Sequence, residues 1–133
     1  MDKAYFNAAR AVAELSDVRK IHIGAIAVYK HKIISSGANS CKTNPVQKKY
    51  NKYRFQEDTE HHLHAEIRCL LSLINRKDID FKKLSLYIYR EYKNGELALA
   101  RPCPSCFTLI KDLGIKNIYY TNYGGYSHEK LIY

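Results

Sequence analysis

Between residues 21 and 120 the chain alternates between short β-branched apolar runs and longer segments with helical spacing. No other feature of the sequence limits the fold as much. Residues 21–29 read as a strand, with Ile21, Ile23, Ile26 and Val28 supplying apolar surface. Residues 33–37 read as a second strand. With the short polar break Lys30-His31-Lys32 between them the two read as an antiparallel hairpin, although the break lacks the Asn-Gly pair that would fix the turn type. Residues 63–74 place Leu63, Ile67, Leu70, Leu71 and Ile74 on one helical stripe. Residues 84–89 read as a strand. Residues 103–113 read as a helix opened by Pro102 and closed by Gly114, and residues 115–120 as the last clear strand. Ahead of all this, residues 3–19 carry Tyr5, Ala8, Val12 and Leu15 at helical spacing. The order α β β α β α β predicts a three-layer α/β/α architecture. Its mixed sheet has an antiparallel strand pair at the N-terminal end and parallel neighbours in the second half.

Two segments interrupt the regular pattern. Residues 39–60 form a long polar stretch without a period, containing Pro45, the bases Lys42, Lys48, Lys49, Lys52 and Arg54, and the aromatics Tyr50, Tyr53 and Phe55. Stretches of that length are often functional. Residues 90–100 surround Asn94-Gly95 and read as a small hairpin or flap. Residues 122–126 read as a loop, and 129–133 are too few to assign. The length of 133 residues fits one domain, 1–133, and no run approaches the ~18 apolar residues of a membrane span. The N-terminus lacks a basic start followed by an apolar run, so the expectation is a soluble cytoplasmic protein with no membrane partner.

The chemistry is concentrated at two predicted helix starts: His64-Ala65-Glu66 and Pro102-Cys103-Pro104-Ser105-Cys106. One imidazole and two thiols are ligands that zinc prefers. Cysteines three apart on a first helical turn project to one side. A helix N-terminus also favours thiolate over thiol. Three protein ligands leave a tetrahedral ion one position for water, as in catalytic sites, and zinc lowers the pKa of such a water to about 7. Glu66, two residues from His64, is the natural proton carrier. Competing readings are a closed structural zinc knuckle completed by His61 or His62, and a redox C-x-x-C. Cys69 reads as a core cysteine; Cys41 with His61 or His62 could form a second zinc site or belong to an incidental polar loop.

His64-x-Glu66 followed by Pro102-Cys103-x-x-Cys106 resembles the signature of the cytidine and deoxycytidylate deaminase superfamily of zinc enzymes. Gly37-Ala38-Asn39 at the end of the second strand and Gly114-Ile115-Lys116-Asn117-Ile118 before the last strand are also similar to it. The resemblance implies the cytidine deaminase-like fold and one Zn2+ per chain, bound by His64, Cys103 and Cys106. It implies Glu66 as catalytic proton shuttle. The backbone N–H of Ala65 would face the base carbonyl, and Asn39 would hydrogen-bond the sugar or base. It also implies a homo-oligomer.

The implied reaction is hydrolytic deamination of a cytosine-type base in a small-molecule nucleoside or nucleotide. The Pro-Cys-Pro-x-Cys spelling is most similar to deoxycytidylate-type enzymes, but in those the strand passes almost directly into the motif, whereas here residues 90–100 intervene. Twenty-two basic residues against 13 acidic ones, a net charge of +9, favour a phosphorylated partner. Lys42, Lys48, Lys49 and Arg54 are the expected phosphate contacts. The same charge, with the tyrosines of the loop, keeps nucleic acid in view, either as a polynucleotide substrate or as the ligand of a non-catalytic zinc-stabilised module. Glu66 argues against the last, because a structural site has no use for a shuttle.

Overall fold

Leu84–Arg90 (β3) contributes apolar side chains to both faces of a sheet, as strands buried on two sides do. Leu84, Leu86 and Ile88 enter one core, whereas Tyr87 and Tyr89 enter the other. The computed structural model describes residues 3–42, 44–52 and 63–132. Beside β3 lies Ile23–Tyr29 (β1), antiparallel to it, and beyond that Lys32–Ala38 (β2), antiparallel to β1. On the other side Asn117–Asn122 (β4) runs parallel to β3. The five-stranded order is β2-β1-β3-β4-β5, closed by Gly125–Lys130 (β5), which is antiparallel to β4.

Lys3–Ala13 (α1) covers one face, packing Phe6, Ala9 and Ala13 against Ile26, Val28, Tyr87 and Tyr89. The opposite face carries Pro45–Asn51 (α2), Ala65–Leu71 (α3) and Pro104–Leu113 (α4). This is the expected three-layer α/β/α arrangement with its antiparallel strand pair.

Several elements differ from the sequence reading: β1 begins at Ile23 rather than residue 21, α3 spans only Ala65–Leu71 rather than 63–74, and β4 runs Asn117–Asn122 rather than 115–120. α1 stops at Ala13, not near residue 19, and Leu15 is 76% exposed. Ser16 and Asp17 take the backbone elsewhere: Ser16 Oγ donates to the Asn39 carbonyl, and Asp17 accepts from Ser40 Oγ and Cys41 N. The stretch 39–60 contains α2, whose Asn44 side chain caps the Val46 N–H with Pro45 in the first turn. The Lys30-His31 break is a tight turn with both residues at positive φ, 51° and 66°, the geometry of a type I′ hairpin without its usual residues. Residues 125–130 form β5, an edge strand with polar and half-buried side chains. Tyr53, Arg54, Phe55, His61 and His62 lie outside the described residues.

Candidate active site

α3 and α4 present their first turns to one another near the carboxyl end of β3. Leu63, just ahead of α3, forms a two-way backbone bridge with Ser40. The His64 N–H donates to Oε1 of Gln47, a buried residue of α2. Arg68 Nη1 reaches the Ala38 carbonyl at 3.2 Å and ties α3 to the end of β2. His64 is thereby held at the helix cap in extended conformation. Cys103 is the corresponding cap of α4, with Pro104 directly after it. The two caps bring His64 Nδ1 to 3.3 Å from Cys106 Sγ and 3.4 Å from Cys103 Sγ.

The three ligand atoms lie within 4.8 Å of one another. No other group of this kind occurs among the described residues. One imidazole nitrogen and two sulfurs so close together fit zinc. The electrostatics favour a thiolate at Cys103 only: a hydrogen bond from Cys106 holds it down to about 3, against the opposing effect of burial, with His64 and Ser105 assisting. Burial pushes Cys106 well above the ordinary thiol value. Cys69 lies outside this cluster; it is buried, contacts Ser35 Oγ at 3.3 Å, and burial pushes it up to about 12, as befits a core thiol. Cys41 is exposed and packs on Asp17.

Glu66 sits in the first turn of α3, 6% exposed. Burial raises its pKa, and the nearby His64 partly offsets the rise. A carboxyl group that holds its proton more readily suits proton transfer near neutrality. Glu66, His64 and Cys103 line the floor of a cavity of about 250 Å³. Val18, Ile21, Ile23, Leu63 and Leu99 form much of its apolar wall. Asn39 also lines it, but its side chain is already engaged: Nδ2 donates to the Ile21 carbonyl at 2.7 Å and Oδ1 accepts from the Ile23 N–H. Ala65 is fully buried at the first helical position, beside the floor residues.

The remaining lining residues come from a part of the chain to which sequence reasoning assigned no site residue. Arg90, Ala100 and Arg101 bracket the 90–100 flap and line the cavity with Leu99. Thr121 of β4 fastens the flap. Its hydroxyl donates to the Ala98 carbonyl at 2.7 Å and accepts from the Arg90 N–H at 3.1 Å, while its carbonyl accepts from Ala100. Arg101 is held by two hydrogen bonds to Glu129 of β5 and lies over the Phe107 ring. Arg90 forms no ion pair with a described carboxylate. Its nearest side-chain partner is the Leu99 carbonyl at 3.5 Å. Among the described loop bases, Lys42, Lys48 and Lys49 are not cavity-lining residues. The only signal for the two arginines was their position at either end of the Asn94-Gly95 flap.

Known structures share this architecture. A dCMP deaminase from the cyanophage S-TIM5 superposes in its apo form with a TM-score of 0.64 at 24% identity, covering 90% of this chain and 81% of that one. Its complex with dCMP and dUMP gives 0.61 at 23% identity, over 89% and 78%. A cytidine deaminase from Burkholderia pseudomallei gives 0.65 at 19% identity, over 98% and 92%. No curated protein sequence matches significantly. The family described as "Cytidine and deoxycytidylate deaminase zinc-binding region" matches residues 1–122, a span that includes both helix caps and the carboxyl group between them. With a zinc-type donor set and a buried acid meeting on that fold, this chain belongs to the cytidine and deoxycytidylate deaminase family of zinc-dependent hydrolases.

Proposed function

We propose that the chain converts the cytosine base of a free pyrimidine nucleotide to uracil, releasing ammonia. One observation carries the reading: buried Glu66 lies beside the His64, Cys103 and Cys106 cluster in a cavity that is also lined by Arg90, which pairs with no described carboxylate. The cavity of about 250 Å³ is just under the ~300 Å³ at the small end of ligand pockets, which suits one base and its sugar. The likeness to a dCMP deaminase solved with dCMP and dUMP supports a nucleotide.

The residues divide the work as follows. Val18, Ile21, Ile23 and Leu99 contact the base and exclude bulk water. The Ala65 N–H donates to the base carbonyl. The second N–H of the Asn39 amide, left over after its bond to Ile21, reaches the sugar. His64 Nδ1 and the two Cys sulfurs would hold one zinc per chain, which would supply Lewis-acid activation of the attacking water. Glu66 takes a proton from that water and passes it to ring nitrogen N3 as the water oxygen adds to C4. It then carries the second proton to the departing amine as the C4–N4 bond breaks. Arg90 pairs with the 5′-phosphate, a charge-assisted contact stronger than a neutral one.

Ammonia release from deoxycytidine, its 5′-monophosphate and a short single-stranded oligonucleotide, each at low and high salt, tests the reading. The monophosphate is expected to react fastest. Glu66→Gln should keep fold and zinc while losing about 10²-fold or more in turnover. Equal rates on nucleoside and nucleotide remove the phosphate from the argument, and an active Glu66→Gln enzyme removes the proton carrier.

A further inference from the structure

A second cleft, of about 150 Å³, lies at the same end of the sheet and is lined by Arg19, Lys20, His22, Glu91, Tyr92 and Lys93. The segment that separates it from the catalytic cavity is shared. Val18, Ile21 and Ile23 line the cavity, while Arg19, Lys20 and His22 line the cleft. The same division recurs across the strand pair, where Ile23 is the register partner of Arg90. Arg90 lines the cavity and its neighbour Glu91 lines the cleft. Successive side chains of a strand point to opposite faces, so the cleft lies just over the strand ends from the cavity mouth, on the α1 side.

The cleft is cationic. Its one acid is already neutralised: Tyr89 Oη donates to Glu91 at 2.7 Å, and Arg10 Nε lies 3.8 Å from the same carboxylate. Arg19, Lys20 and Lys93 are exposed and pair with no described carboxylate, so three full positive charges face one compensated negative one. Arg90 stands between cavity and cleft.

We propose that this cleft binds the phosphates of the substrate that follow the first one, so that the preferred substrate carries a chain of two or more phosphates on its sugar. That chain is the tail of a nucleoside triphosphate, which keeps the substrate a free nucleotide. The proposal rests on the nucleotide reading of the cavity: the base sits over Glu66, the first phosphate meets Arg90, and the chain continues over residues 19–22 toward Lys93. Charge-assisted contacts to successive phosphates then add affinity that a monophosphate cannot obtain.

The test uses full-length zinc-loaded Glu66→Gln protein, which holds substrate without consuming it. Binding of the cytosine deoxynucleoside monophosphate, the triphosphate and a short single-stranded oligonucleotide with one cytosine is measured at two salt concentrations. Inorganic tripolyphosphate is a fourth probe. The triphosphate should bind about tenfold or more tightly than the monophosphate, with a steeper salt dependence. The gain should vanish when Arg19→Gln, Lys20→Gln and Lys93→Gln are combined, leaving monophosphate affinity unchanged. A gain for the oligonucleotide with none for the triphosphate overturns the tail and points to a strand instead. Tripolyphosphate should bind the protein with an intact cleft and not the triple variant. Lys93→Glu alone, at an exposed site, repeats the test with minimal risk to folding. The cleft proposal fails if the triphosphate gains no affinity over the monophosphate, or if the gain survives the triple substitution. Monophosphate turnover by the unmodified enzyme separates the two ideas: if it persists without any gain, the cavity reading stands and the cleft alone is refuted.

Discussion

Replacing Gly37 by alanine would test how the site is held in place. A Cβ at Gly37 would lie 2.5 Å from the Cys69 N, 2.9 Å from the Ala65 O and 3.0 Å from the Arg68 carbonyl carbon, all backbone atoms of α3. None of these can rotate away, so α3 must retreat by about 0.9 Å to restore an ordinary contact of 3.4 Å. His64 and Glu66 stand at the start of that helix, whereas Cys103 and Cys106 belong to α4 and have no reason to follow. Overpacking of this kind destabilises by roughly 1–3 kcal/mol. A displacement near 1 Å between catalytic groups can lower turnover by roughly 100-fold. Gly24→Ala is the control. Its Cβ would meet the Ala9 carbonyl and lie 2.5 Å from Ala13 N, so it displaces α1 on the opposite face of the sheet. Thermal melts should show a loss of stability in both variants. Turnover per folded molecule and zinc content should fall sharply only for Gly37→Ala. Equal activity in the two folded variants would refute the claim that α3 sets the site through backbone contact at Gly37.

Three further outcomes follow from the geometry. Cys106→Ala should abolish zinc binding, whereas Cys69→Ala should keep it and lose only roughly 1 kcal/mol of stability; metal analysis with thermal melts separates them. Thr121→Val keeps the shape but strips the flap of its hydroxyl partner, so KM should rise and stability fall by about 1–3 kcal/mol, with Thr121→Ser restoring both; an unchanged KM would mean the flap holds its place unaided. The hydrogen bond from Arg101 holds the Glu129 carboxyl below its ordinary value, so its stabilisation is present above the ordinary carboxylate range and is lost as pH falls through the lowered folded value. Denaturation at about pH 7 and about pH 3 should therefore show a smaller acid loss in Glu129→Gln than in the parent chain.

The convergence of His64, Cys103, Cys106 and Glu66 was legible because these residues sit at helix starts, where residue type, spacing and local structure agree. The strands β1 and β3 were legible because burial on two faces leaves nearly continuous apolar runs. α2 was missed because its inward side depends on Gln47, a buried polar residue that no hydrophobic period reports, and because Pro45 reads equally as a loop breaker. The Asn44-Pro45 pair did carry a helix-start signal. β5 was missed because an edge strand alternating Tyr126, His128 and Lys130 has little apolar surface to display. Leu15 extended α1 on paper since hydrophobicity alone cannot tell an exposed leucine from a core one. Arg90 and Arg101 converge through Thr121 and Glu129, partners 31 and 28 residues distant, and no local pattern announces contacts at that separation.

The cluster also joins parts of the chain that are far apart along the sequence. His64 is separated from Cys103 by 39 residues and from Cys106 by 42, and the span between them includes all of β3. A metal bound at both ends is a cross-link that closes this loop. By the chain-entropy reasoning applied to disulfides, a closed loop of about 40 residues lowers the entropy of the unfolded chain by the equivalent of about 4 kcal/mol. That is a large part of the ~5–15 kcal/mol by which domains are ordinarily stable. Zinc supply would then govern how long the molecule survives proteases and heat as well as how fast it turns over, and a zinc-starved cell would lose the protein itself along with its activity.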